Sequence, residues 1–300
     1  MLNAHLGTNA TLPGLNASLP VLGLGGVLGD ESAEDALPNE IKQTMRKMSK
    51  KDATTKLKAL QEFIEFVNEN SQTDNDSEDA SKDNVAGPDL ESIKATLPFW
   101  PRLYCKLSND NDRRVREYAH KAHLKLSTTV GRDLAPHLRS IAAAWFLGRF
   151  DCHPPAASAA NEAFNAVFPS KSEGSSKKNK QREAIIFCGS EILNAIKENL
   201  INASPQIPGE TKLSAEEQLS RYNRLIATSL NAYAAFWQDL AELQPISESE
   251  GSKHESWKQL NKAFEKTKEI QVSILNEGKF WKYSQSKEPA VSIICQVLIL

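Results

Sequence analysis

Two segments sixty residues apart carry the same residue types in the same register, and this repetition constrains the fold more than any other feature. Asp52, Thr55, Lys56 and Ala59 have the spacing of Asp112, Val115, Arg116 and Ala119. Between them lies SQTDNDSEDASKDNVAGPD (71–89), acidic and with Val85 as its one large apolar residue. Removing this insertion of roughly twenty residues leaves a period near forty, the range of HEAT and armadillo repeats. The D-x-x-V-R-x-x-A pattern has a physical basis. Aspartate accepts from the free N–H groups of a helix's first turn, the apolar residue packs inward, and alanine allows close helix approach. The basic residue can pair with an aspartate in the turn of a neighbouring repeat. A weaker third copy begins near Asp151, where PPAASAANEAF (154–164) supplies proline for a first turn. Glu288, Val291, Ser292 and Cys295 suggest a fourth.

Hydrophobic periodicity agrees with this reading. Ile41, Met45 and Met48 start the pattern, and Leu57, Leu60, Phe63, Ile64 and Val67 form a second stripe behind a cap at Asp52. Val115, Ala119, Ala122 and Leu126 mark one helix; Leu134, Leu138, Ile141 and Trp145 mark the next. Ile185 to Leu200 reads as a single stripe, and Leu219 to Leu240 as the longest. No run alternates with period two beyond a few residues. The expected fold is therefore all-α, a HEAT/armadillo-like helical repeat solenoid, with an irregular helical bundle as the alternative. Residues 1–38 read as a flexible arm and 39–300 as the repeat domain. Disordered loops are expected at about 70–90, 170–182, 202–217 and 245–256, where composition cannot offset the entropy of ordering. The final QVLIL lies in an apolar helical run without a stop signal, so the repeat domain reads as truncated there.

The chemistry of sites is sparse. Cys105, Cys152, Cys188 and Cys295 are too far apart for a thiolate zinc site or a redox CxxC, and read as buried, reduced thiols. GLGG (23–26) lacks the lysine and the strand–helix context of a phosphate loop. His120 and His123 stand three apart on one helix, with no carboxylate or cysteine at ligand spacing there, so they read as solvated or partly packed. The N-terminus has no basic segment ahead of its apolar residues and is interrupted by Pro13 and Pro20, unlike a signal peptide. No apolar stretch is long enough for a membrane span. No catalytic residue and no metal site is expected in the chain.

Charge is more informative, although the net value is only −2. Residues 40–58 hold seven basic against two acidic residues, and 102–139 nine against four, so each segment is net +5. Clustered cations bind phosphate backbones by releasing counterions, and a solvated solenoid face is the plain alternative. Lys47, Lys50, Lys51, Arg113, Arg114 and Arg116 are the candidate binding residues, Arg116 standing also as a structural arginine of its repeat. Phe99, Trp100 and Tyr104, and a second group at Phe280, Trp281 and Tyr283, read as core anchors rather than base-stacking surfaces.

MRKMSKKDATTKLKALQEF (45–63) and LPFWPRLYCKLSNDNDRRVREYAHKAHLKL (97–126) resemble the first two conserved blocks of the listerin family. PPAASAANEAF (154–164) with AIIFC (184–188), and KFWKYSQSKEPAVS (279–292), follow in the family's order. The resemblance implies the N-terminal, HEAT-like region of a RING-type ubiquitin-protein ligase of ribosome-associated quality control. Implied partners are the large ribosomal subunit, the factor that recognises peptidyl-tRNA on stalled subunits, and a ubiquitin-conjugating enzyme engaged by a distant zinc-binding RING. Four scattered cysteines cannot supply a RING's eight Cys/His ligands, so this chain is expected to be inactive alone and to need no cofactor. A cytosolic location is expected from the scattered, reduced cysteines. A generic HEAT adaptor that binds proteins without ribosome contact is the competing reading.

Overall fold

Stacked helical hairpins follow from the repeat, and the computed structural model contains them. It describes residues 37–69, 90–169, 180–205, 214–241, 255–289 and 291–292. Most of the expected arm, the interiors of the four loops and Cys295 lie outside the described residues. The described helices are α1 (Asn39–Met48), α2 (Ala53–Glu69), α3 (Leu90–Lys94), α4 (Trp100–Leu107), α5 (Arg113–Val130), α6 (Leu138–Gly148), α7 (Pro154–Val167), α8 (Lys180–Phe187), α9 (Gly189–Lys197), α10 (Ala215–Ala241), α11 (Glu255–Leu275) and α12 (Gly278–Lys282). No strand occurs among the described residues.

The hairpins α1/α2, α4/α5 and α6/α7 stack as successive repeats. One layer is α1, α4 and α6, with α9 packed on α6; the other is α2, α5 and α7. Helix α10 lies against α6, α8 and α9, and α11 packs on α8 and α9. The anticipated stripes face inward: Ile41, Met45, Met48, Leu60, Phe63, Val67, Val115, Ala119, Ala122 and Leu126 are all buried. Caps fall where the repeat puts them. Asp52 Oδ2 accepts from the Thr55 N–H at 2.7 Å, and Asp112 Oδ1 from the Arg114 N–H at 2.8 Å. Gly131 ends α5 at φ +54°, a conformation that favours glycine.

Boundaries differ from the sequence expectation in several places. Leu37 is buried and α1 starts at Asn39, so the core reaches into the expected arm. Lys180–Arg182 and Ala215–Glu217, expected as loop, are helical. Ser214 and Glu217 form a reciprocal capping box, with Glu217 N–H to Ser214 Oγ at 3.1 Å and Ser214 N–H to Glu217 Oε2 at 2.8 Å. Leu134 does not begin an α-helix, because Pro136 holds Gly131–His137 as a 3-10 segment. The stripe from Ile185 to Leu200 is not one helix either. It breaks at Cys188 and ends in a π turn, Glu198–Asn202.

Two buried ion pairs join the repeats in series. Lys56 Nζ on α2 meets Asp110 Oδ2, in the turn before α5, at 2.5 Å. Arg116 on α5 grips Asp151, in the turn before α7, through Nε to Oδ2 at 2.6 Å and Nη2 to Oδ1 at 3.0 Å. Arg116 Nη1 also donates to the Asp110 and Asn111 carbonyls at 2.9 and 3.1 Å. Each aspartate shapes its own turn as well: Asp110 Oδ1 accepts from Asp112 N–H at 3.0 Å, and Asp151 Oδ1 from His153 N–H at 2.8 Å. Asp151 therefore takes the place of Asp110 in the third repeat, and His153 that of the capping Asp112, two residues from the register that the sequence suggested.

Burial alone would raise the Asp151 pKa, but the Arg116 hydrogen bonds and charge hold it below the ordinary carboxylate value. The pair's contribution is thus complete above pH ~4 and is lost as pH falls through the depressed folded value. Replacing Arg116 by alanine leaves Asp151 charged and buried, and is expected to cost about 3–5 kcal/mol. Urea unfolding at pH 7 checks this; a loss below about 1 kcal/mol would contradict the role given to the bridge.

Candidate binding surface

Because every hairpin turns at the same end of the stack, residues distant in sequence meet along one edge. Lys50 and Lys51 occupy the turn between α1 and α2, and Arg113 and Arg114 open α5 after the turn from α4; all four are exposed. These turns touch: Lys106 Nζ donates to the Ser49 carbonyl at 3.2 Å, and the Lys56–Asp110 pair bridges the same gap. Lys47 sits one turn back on α1, paired with Glu62 at 2.9 Å, and Arg114 is paired with Asp112 at 3.0 Å, its side chain still 61% exposed.

Arg116 does not belong to this surface. Its side chain is 3% exposed and its guanidinium is engaged by Asp151 and two carbonyls. The positive segment 102–139 is also not one patch. Helix α5 is about 27 Å long at 1.5 Å per residue, which carries Arg132 and Arg139 to the opposite end from Arg113. There Lys94 pairs with Asp133 and Glu91, and Arg139 with Glu191. Sequence reasoning passed over Lys106 and Arg224. Arg224, on α10, reaches the same turn as Arg113 through a contact more than a hundred residues long in sequence, for which no local signal exists.

The histidines are core residues rather than solvated ones. His120 and His123 have no exposure. The Trp100 indole donates to His123 Nδ1 at 3.1 Å, and His120 Nδ1 shares a 2.9 Å hydrogen bond with the Tyr104 hydroxyl. Trp100 stacks on Phe63 at 4.9 Å, His123 meets the edge of Trp145 at 4.3 Å, and Trp145 continues to Phe164. An aromatic spine thus crosses three repeats, and the expected anchors Phe99, Trp100 and Tyr104 are buried in or beside it. Phe280 and Tyr283 are buried too, whereas Trp281 is 43% exposed. Gly148 admits the His120 ring, since a Cβ there would lie 2.3 Å from Cε1. Among the described residues no three His, Cys, Asp or Glu side chains are grouped for a metal. Cys188 is buried, Cys105 half-buried and Cys152 exposed, so burial does not extend to every thiol.

The repeated hairpins, the Lys/Arg–Asp ladder and the charged turns together define a HEAT-type helical repeat domain. Residues 34–299 match the family model for the E3 ubiquitin-protein ligase listerin, N-terminal domain. The chain is 35% identical over 266 residues to E3 ubiquitin-protein ligase listerin of Mus musculus, covering 88% of this chain and 12% of that protein. The protein of the same name from Gallus gallus is 33% identical over 281 residues, covering 91% and 13%, and that of Drosophila melanogaster 27% over 262 residues, covering 87% and 13%. The chain belongs to the listerin family and corresponds to its N-terminal domain. It spans about an eighth of the length of these relatives.

Burial lowers the His120 pKa to about 4, and burial with the neighbouring His120 lowers that of His123 to about 3. Both rings are neutral at pH 7 and resist protonation, while the unfolded chain takes up protons below pH ~6.5. Stability is therefore expected to fall as pH drops below that value, by about 2 kcal/mol per histidine at pH 5. Thermal unfolding between pH 7 and 5 measures it. The His123→Gln variant, which keeps an acceptor for Trp100, is expected to flatten roughly half of the dependence. A melting temperature independent of pH across that range would refute the assignment.

Proposed function

We propose that this domain docks a listerin-type ubiquitin-protein ligase onto the large ribosomal subunit through the edge formed by Lys47, Lys50, Lys51, Arg113 and Arg114. The observation that carries the reading is the convergence of Lys50, Lys51, Arg113 and Arg114, from two sequence segments, as exposed cations on adjacent turns. Long cationic side chains at such an edge suit the phosphate backbone of ribosomal RNA, whose condensed counterions they release. The factor that recognises peptidyl-tRNA on a stalled subunit would share this platform. Ubiquitin transfer to the nascent chain, with its conjugating enzyme, would fall to a zinc-binding RING outside these 300 residues, since four cysteines cannot hold two zincs in RING fashion. The setting is the cytosol, where stalled subunits occur.

Reversal of charge tests the edge. Arg113 and Arg114 are the first two residues of α5, where glutamate suits the helix dipole, and Lys50 and Lys51 lie outside any helix. The quadruple variant K50E/K51E/R113E/R114E should keep its circular dichroism spectrum. In co-sedimentation with purified large subunits its affinity is expected to drop at least tenfold, roughly, at moderate salt. Each lost phosphate contact should also reduce the salt dependence by about one logarithmic unit of slope. Binding that survives these reversals would favour a protein-binding HEAT adaptor instead.

A further inference from the structure

Arg224 projects from α10 over the turn between α4 and α5. Its Nη2 lies 3.5 Å from the Asn109 carbonyl and 3.4 Å from that of Asp110, both at the long limit of a hydrogen bond. Among the described residues no carboxylate pairs with it, since the nearby Asp151 is held bidentately by Arg116. Burial first, and then the charge of Arg116, bring its pKa down to about 10, with Asp151 opposing and Arg221 adding to the repulsion. An incompletely neutralised, recessed cation is costly to keep. Beside it opens a cleft with a free volume of about 40 Å³, lined by Leu147, Asp151, Asn199, Leu225 and Thr228 among others. The lining is mainly apolar, and Arg224 is its under-paired cation.

We infer that this cleft receives the carboxylate of an aspartate or glutamate side chain from a protein partner. About 10–15 Å³ of such space holds one water-sized group, so the cleft takes the three heavy atoms of a carboxylate. Arg224 binds it through its guanidinium fork, and Leu147 and Leu225 line the stem. Arg116 offsets the charge of Asp151 on the cleft wall, so Arg116, Asp151 and Arg224 together leave one net positive charge for the guest. A phosphodiester fits less well, since it has five heavy atoms and carries ribose on two sides. The inference therefore goes beyond the RNA edge, adding a partner of different chemistry beside it.

The test uses the whole chain and the Arg224→Gln variant. A guest-binding arginine without a structural ion pair should be dispensable for folding, so the variant's melting temperature is expected to fall by less than about 3 °C, or to rise. Arg116→Gln, by contrast, should melt well below that. With arginine labelled by ¹⁵N, acetate should shift the Arg224 Nε–Hε resonance, identified by its loss in the variant, saturably and at concentrations that leave Arg114 unmoved. Large-subunit binding should be the same for parent and variant. The inference is overturned by a larger melting loss, which makes Arg224 structural, or by the absence of a saturable acetate shift. It is also overturned by inorganic phosphate acting at lower concentration than acetate, or by loss of subunit binding in the variant, either of which gives the cleft to a phosphate. Failure of the parent to bind subunits at all would refute the RNA edge while leaving the acetate result standing.

Discussion

The buried pair between Arg116 and Asp151 is the constraint on which the stack depends. A carboxylate in the core is tolerable when its oxygens are saturated, and here one aspartate holds the preceding repeat through a guanidinium and its own turn through a backbone N–H. Lys56 and Asp110 do the same one repeat earlier. Since Arg116 also donates to the Asp110 and Asn111 carbonyls, the two rungs are mechanically joined. The turns are fixed relative to one another, and with them the edge that carries the exposed cations.

That ladder also sorts the positive charges. Lys56 and Arg116 are consumed in the interior, Lys47 and Arg114 have local acidic partners, and Lys50, Lys51 and Arg113 face solvent. Arg224 is intermediate, recessed behind the same turn and only weakly held by backbone. Under the two proposals, one edge would offer two kinds of recognition: long cations for an extended anionic surface, and a recessed guanidinium in a narrow cleft for a slender group. A charge count along the chain cannot separate these, because it treats buried, paired and exposed cations as equivalent.

The aromatic and histidine spine supplies the cohesion that the ladder lacks. Phe63, Trp100, His123, Trp145 and Phe164 come from α2, α4, α5, α6 and α7, so the interaction passes from layer to layer through three repeats. Neutral histidines can serve here because each ring joins a hydrogen bond while presenting an aromatic face. A surface helix would place the same two histidines in water. Only the covering of α5 by α2, α4 and α7 makes them interior.

What the sequence determined by itself was what local physics controls. Helical stripes such as Ile41–Met45–Met48, the caps at Asp52 and Asp112, and the repeat itself were legible, because a 3.6-residue period and a first-turn hydrogen bond involve only near neighbours. The Ser214–Glu217 capping box was equally local and could have been read from its spacing. The candidate edge was half legible. Lys50, Lys51, Arg113 and Arg114 stood out by composition, but Arg116 belonged to the core and Arg224 gave no sign. Tertiary structure alone decided that Asp151 takes the role of Asp110, that the stripe from Ile185 breaks at Cys188 where α9 meets α11, and that Arg224 lies beside the ladder. Each of these is a choice of partner across a long stretch of chain, and such choices are settled by which buried charges and ring faces can be satisfied together in three dimensions.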